Sequence, residues 1–409
     1  MTPFLQLVFT IATILLAAKL AGYLSIRLGQ PSVLGELLVG ILLGPSLINL
    51  LNLSILNDHV LGETITQLGD IGVMLLMFLA GLELHLDELR HNTKASAMAS
   101  ALGLILSVGL GWGTGLLFGF GGEAALFLGL ALGATSVSIS AQTLLELKVL
   151  RSRVGLGLLG AAVFDDVMVL LAFSAFLAFT SGNGDLIGLL WIFLKVLIFL
   201  AGAMAFGIWV LPRLVKIVAR LPISQSALTF AIVTLFGYGL AAELMGGMAA
   251  IIGAFLAGLM FGRTPEKGLL DQGMTALAYG LFVPIFFVNI GLAVNLRSLD
   301  ASALWMTLAF VVIAITGKLL GAGSGARLAG FKGREALQLG AGMVARGEVS
   351  LIIASVGLEV GLISTDALSA IVGTVIITIL VTPPILRAMF EPPKKGKANN
   401  PSEEVQEAS

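Results

Sequence analysis

Long apolar blocks fill the chain, and short polar stretches punctuate them at intervals. About thirteen blocks are long enough to cross ~30 Å of hydrocarbon as a helix. They lie near 3–28, 31–52, 66–85, 96–118, 123–146, 154–180, 186–212, 225–245, 247–262, 273–294, 302–325, 336–361 and 366–389. The ninth is short and Gly-rich. After Phe390 the chain turns polar, and a disordered tail is expected there.

Lysine and arginine mark alternate connections. One set holds Arg27, then Arg90 and Lys94, then Lys148, Arg151 and Arg153. It continues with Arg213, Lys216 and Arg220, then Arg263 and Lys267, then Arg327, Lys332 and Arg334. Arg387 and the tail lysines complete it, whereas the other set holds only Arg297. The expected topology is an external N-terminus and a cytoplasmic C-terminus in a cell (inner) membrane. Lys19, Lys195, Lys318 and Arg346 fall inside spans; the first two suit snorkelling or helix packing.

Composition agrees with the blocks. Of 409 residues, 57% are hydrophobic and 11% charged, against about 25% charged in a soluble domain. The class is an all-α polytopic membrane protein, and one bundle can hold it all. The net charge of -1 adds little, because the charges are segregated by loop. There are no cysteines, so redox compartment is unreadable. The first block is long enough to span and has no basic residue before Lys19, so no removable signal peptide is expected.

An internal echo follows. Residues 35–44 read G-E-L-L-V-G-I-L-L-G, and residues 253–262 read G-A-F-L-A-G-L-M-F-G. The two spans differ by seven crossings, an odd number, so the copies must be inverted. Inverted repeats are a signature of alternating-access transporters. Gly-rich spans can also look alike simply because small residues let helices approach.

Two adjacent aspartates, Asp165 and Asp166, interrupt the sixth span. A charge at mid-bilayer costs ~2.5–3.5 kcal/mol on insertion scales and usually marks an ion or proton path. Neighbours on a helix point about 100° apart. One acid can therefore face a cavity while the other meets a counter-charge on a packed helix, for which Lys318 is the candidate. The fifth and twelfth spans carry polar interruptions, G-A-T-S-V-S-I-S-A-Q at 133–142 and G-M-V-A-R-G-E-V-S-L at 342–351. Broken helices at matching places in two halves point to a transporter's site. The hydroxyls of the first stretch could equally bond back to their own helix. Arg346 and Glu348 are read as a structural charge pair tying a broken helix to its bundle. Glu36 is expected within the second span; Asp70 and Glu83 lie toward opposite ends of the third, where a solvated or capping role gives them little functional weight. No His/Cys cluster, nucleotide-binding string or Ser-His-Asp constellation can be placed, so neither catalytic residues nor a cofactor are expected.

These residues resemble the bacterial sodium/proton antiporters of the second branch of the monovalent cation:proton antiporter family. The resemblance covers about residues 1–390. It rests on Q-P-S-V-L-G-E at 30–36, G-L-E at 81–83, A-T-S-V at 134–137, F-D-D at 164–166, G-K-L-L-G at 317–321 and R-G-E at 346–348. It implies two inverted six-helix repeats, 1–184 and 221–390, joined by a linker helix at 185–220 and followed by the tail 391–409. It implies two broken crossover helices, a mobile core moving against a dimerising scaffold, and a homodimer. By position Asp166 becomes the carboxylate that binds Na+ or a proton, Asp165 its neighbour paired with Lys318, and Thr135 and Ser136 the crossover contacts to the cation. Exchange of Na+ or Li+ for protons, electrogenic through a second titrating pair, is the implied activity, with no nucleotide or nucleic-acid partner. A K+/H+ antiporter, a sodium-coupled organic-solute symporter and a channel are the alternatives. Many relatives have Pro before R-G-E where this chain has Ala345, which leaves the position of the second break open.

Overall fold

The computed structural model describes residues 2–53, 56, 60–83, 86–180, 186–293 and 301–390. The expected tail, 391–409, and Arg297 lie outside them. The first half runs α1 (Pro3–Arg27), α2 (Ser32–Leu43), α3 (Leu61–Glu83), α4 (Leu86–Leu117), α5 (Gly122–Gly133), α6 (Val137–Glu146), α7 (Arg153–Thr180) and α8 (Leu186–Ala205). The second runs α9 (Leu211–Val218), α10 (Ser226–Ala241), α11 (Ala250–Phe261), α12 (Lys267–Leu277) and α13 (Val283–Leu292). It closes with α14 (Ala301–Leu328), α15 (Gly333–Gly342), α16 (Glu348–Glu359) and α17 (Thr365–Met389). A π-helical turn, Phe206–Val210, joins α8 to α9, and another, Ala278–Phe282, joins α12 to α13. No strand occurs among the described residues. Buried backbone in lipid must bond within its own segment, which leaves helices as the open choice.

Among the described residues, ten helical stretches are long and apolar enough to cross a membrane, and Ser32–Leu43, Ala250–Phe261 and Val349–Leu358 are shorter apolar helices. The second span was expected to run to residue 52 but its helix stops at Leu43. Gly44 turns extended there because the following Pro45 disfavours helical geometry in the residue before it. The third begins at Leu61, five residues before the expected 66, with Glu63 in its first turn where an acid suits the helix N-terminus.

The helices fall into two groups. α4, α5, α6 and α7 pack chiefly with α14, α15, α16 and α17; α1, α2 and α3 pack with α10, α11, α12 and α13, and α8 and α9 adjoin these. Lipid tails are as apolar as leucine, so close backbone approach, not the hydrophobic effect, holds such helices together. The echoed glycines make that approach. A Cβ on Gly40 would lie 2.3 Å from the Val288 carbonyl oxygen of α13, and one on Gly258 would lie 1.9 Å from the Phe78 oxygen of α3. Positions five residues into each echo thus serve matching contacts.

The loops rich in Lys and Arg gather at one end. Arg153 pairs with Glu335 at 3.5 Å and donates to the Gly330 carbonyl at 3.3 Å. Arg334 donates to the Met389 carbonyl at 3.3 Å, and Arg151 pairs with Glu83 at 3.6 Å. At the opposite end the two groups part around a cavity of about 260 Å³, lined by Thr66, Asp70 and Asn289 on one side and Val372 and Ile376 on the other.

Candidate ion-binding site

Two interrupted helices meet in the middle of the first group. The first unwinds over residues 134–136, between α5 and α6; the second over 343–347, between α15 and α16. The Ser136 amide donates to the Ala345 carbonyl at 2.8 Å, so the unwound strands bond directly to each other. Gly347 permits this approach: a Cβ there would lie 2.6 Å from the Ser136 Cβ. With Ala345 in place of proline the helix still breaks over 343–347, and residue 345 supplies its carbonyl to Ser136.

Breaking a helix at mid-bilayer leaves carbonyls without partners, and each unsatisfied group is expensive there. Arg346 answers this. It is fully buried, and its Nη1 donates to the carbonyls of Ala134 at 3.3 Å and Met343 at 3.4 Å. These residues cap the C-termini of α5 and α15. Nη1 also reaches the Thr135 hydroxyl at 3.5 Å, and Nη2 donates to the Ala314 carbonyl of α14 at 2.9 Å. One guanidinium therefore faces the negative ends of two half-helices, where a cation is favoured. The expected partner was Glu348, whose side chain lies outside the described ones. The described partners of Arg346 are backbone carbonyls and hydroxyls.

Asp165 and Asp166 lie on α7 and diverge as adjacent helical positions must. Asp165 is fully buried, and its Oδ1 accepts from Lys318 Nζ at 2.6 Å and from the Ser100 hydroxyl of α4 at 3.4 Å. Lys318 is equally buried. Asp165 Oδ2 has no hydrogen-bond partner among the described residues. Such a pair stands only because each charge answers the other; removing one partner of a buried pair costs about 3–5 kcal/mol.

Asp166 turns the other way, to the boundary between the two helix groups. It lines a cavity of about 10 Å³ with Thr135, Ser136, Val137, Ala162, Ile251 and Val349. A second cavity of about 10 Å³ adjoins Asp166, walled by Met77, Ile252 and Phe255 of α3 and α11. Each offers about the space one water-sized particle needs. Carboxylate and hydroxyl oxygens are the donors that hard cations prefer. Ser136 also lines the 260 Å³ cavity, so it touches both the open space and the Asp166 pocket.

The structure thus brings Asp166, Thr135 and Ser136 together, and sets Asp165 with Lys318 beside them. Three features escaped sequence reasoning. Ser100 supports Asp165; its signal was Ser96 and Ser100 four apart, on one face of α4. Asp70, taken for a solvated end, lines the open cavity. Glu36 is buried, with 7% exposure, near the basic-loop end.

Known proteins resemble this chain along nearly its whole length. The family described as "Sodium/hydrogen exchanger, transmembrane" matches residues 13–391. The Na(+)/H(+)-K(+) antiporter GerN of Bacillus cereus is 42% identical over 382 residues, covering 93% of this chain and 96% of that protein. A Na(+)/H(+) antiporter of Enterococcus hirae is 34% identical over 384 residues, covering 94% of this chain and 98% of that one. The fold is shared with the sodium proton antiporter MjNhaP1 of Methanocaldococcus jannaschii, at TM-score 0.65 and 18% identity, over 95% of this chain and 97% of that one.

Proposed function

The chain belongs to the sodium/hydrogen exchanger family, and we propose that it exchanges Na+ or Li+ for protons at Asp166. It is a multi-pass membrane protein of the cation/proton antiporter class. The observation that carries the residue assignment is the pocket of about 10 Å³ where the Asp166 carboxylate meets Thr135 and Ser136. One particle fits, so a proton on the carboxylate and a dehydrated metal ion beside it exclude each other.

The walls give the reason that exchange is obligatory. Ile251, Ile252 and Phe255 of the second helix group face Asp166. Sliding the first group past them with an ionised carboxylate would cost it hydration, and moving a charge out of water is costly. Bound Na+ or a proton neutralises it. The site therefore changes sides only when occupied, and the two ions travel in opposite directions.

The basic-loop end is assigned to the cytoplasm by the positive-inside rule, which places the C-terminus inside and the N-terminus outside. The 260 Å³ cavity then opens outward, and this conformation is the outward-facing one. Asp165 and Lys318 form a second titrating unit, allowing two protons per sodium. Two inverted repeats, 1–184 and 221–390, fit the matching contacts of Gly40 and Gly258. The second helix group is the fixed scaffold and carries the surface of a homodimer. Potassium transport is the second reading, favoured by the Na(+)/H(+)-K(+) designation of the Bacillus cereus relative.

The test is cation-driven proton movement in proteoliposomes, read by dye dequenching with Na+, Li+ and K+ in turn. Asp166→Asn is expected to abolish the signal for every cation the parent protein transports. Parent-like exchange by that variant would remove Asp166 from the role.

A further inference from the structure

Polar bridges join the two helix groups at the basic-loop end, opposite the open cavity. Glu146 ends α6 in the first group, and Ser32 begins α2 in the second. The Glu146 carboxylate accepts the Ser32 amide N–H at 2.6 Å through Oε2 and the Ser32 hydroxyl at 2.6 Å through Oε1. Its Oε1 also accepts from Gln142 Nε2 at 2.9 Å, one turn earlier on α6. Gln142 in turn accepts from the Tyr279 hydroxyl at 3.0 Å, and Tyr279 belongs to the second group. The Tyr279 carbonyl accepts Lys19 Nζ at 2.9 Å.

We propose that Glu146 is a positioning residue of the exchange reaction: its carboxylate caps α2 and latches the two groups shut on one side while the other side is open. Three physical facts favour this. The bonds are charge-assisted, and such bonds are roughly twice as strong as neutral ones. The carboxylate sits at the first residue of a twelve-residue helix, where an anion is stabilised by the helix dipole. The bonded atoms belong to opposite groups, so any relative slide must break them. Gln142 and Tyr279 extend the latch over a second pair of elements. Arg151 and Glu83 bridge the same groups nearby at 3.6 Å, but they are too exposed to hold a gate. Opening to the basic-loop side then requires Glu146 to leave Ser32, and the strength of that bond sets how much of the population faces outward.

The inference rests on the exchanger reading above, and its test separates the two. The chain has no cysteine of its own, so a pair can be placed cleanly. Ser32→Cys and Glu146→Cys are combined and bridged with a short, reducible bis-methanethiosulfonate reagent. Exchange by the bridged protein is expected to fall at least tenfold and to return on reduction, while the same treatment leaves each single variant at its own untreated rate. In an otherwise unaltered protein Val372→Cys, which lines the far cavity, is expected to react with an impermeant maleimide. In a separate protein, Glu146→Gln is expected to slow labelling of that same cysteine several-fold, because the weakened latch lets the site face the other way. Failure of the pair to bridge, unchanged exchange once bridged, or unaltered labelling in Glu146→Gln overturns the latch. Should the parent protein move no cation against protons, the exchanger reading fails, and the labelling still decides the latch.

Discussion

Replacing Lys318 by methionine keeps most of the side-chain volume and removes the charge. In the parent protein Nζ lies 2.6 Å from Asp165 Oδ1, with the two side chains 0% and 1% exposed. After the change Asp165 keeps only the Ser100 hydroxyl at 3.4 Å. An abandoned buried charge of this kind costs about 3–5 kcal/mol. Unfolding entropy of about 2.1 cal/mol/K per residue, taken over 409 residues, converts that to a melting shift of about 3–6 °C. The assay is thermal unfolding of the purified protein in detergent, followed by size-exclusion fluorescence at one heating rate. Adding Asp165→Asn to Lys318→Met should recover most of the loss, since replacing both members of a buried pair by neutral groups is often near neutral. A single variant melting within 1 °C of the parent at pH 8, or a double variant no better than the single, would refute the reasoning.

Two further outcomes are expected. Gly347→Ala puts a methyl group 2.6 Å from the Ser136 Cβ; overpacking of this kind typically costs about 1–3 kcal/mol. Its melting temperature should fall, and Ser136→Gly in the same chain should restore it, while failure of that rescue would mean the clash is not the cause. If Asp165 and Lys318 titrate during the cycle, an imposed membrane potential will drive Na+ uptake into proteoliposomes; indifference to voltage rejects the two-proton scheme.

Much of this protein is written in its sequence, because the relevant energies are local. Transfer of a helix into hydrocarbon depends on twenty or so neighbouring residues, so apolar blocks and basic loops were enough to read an all-helical membrane fold. A charge buried mid-span is costly wherever it lies in the chain, so Asp165, Asp166, Lys318 and Arg346 stood out before any contact was known. The polar stretches 133–142 and 342–351 stood out in the same way, but the breaks at 134–136 and 343–347 within them were fixed only by the structure. What each charge meets was decided only by tertiary structure. Arg346 bonds carbonyls of Ala134, Met343 and Ala314. Every residue type carries a carbonyl, so no letter in the sequence marks the ones that Arg346 meets. Asp165 and Lys318 are 153 positions apart, and Ser32 and Glu146 are 114 apart. Their meeting depends on how two groups of helices pack, and the small pocket at Asp166 exists only where those groups touch.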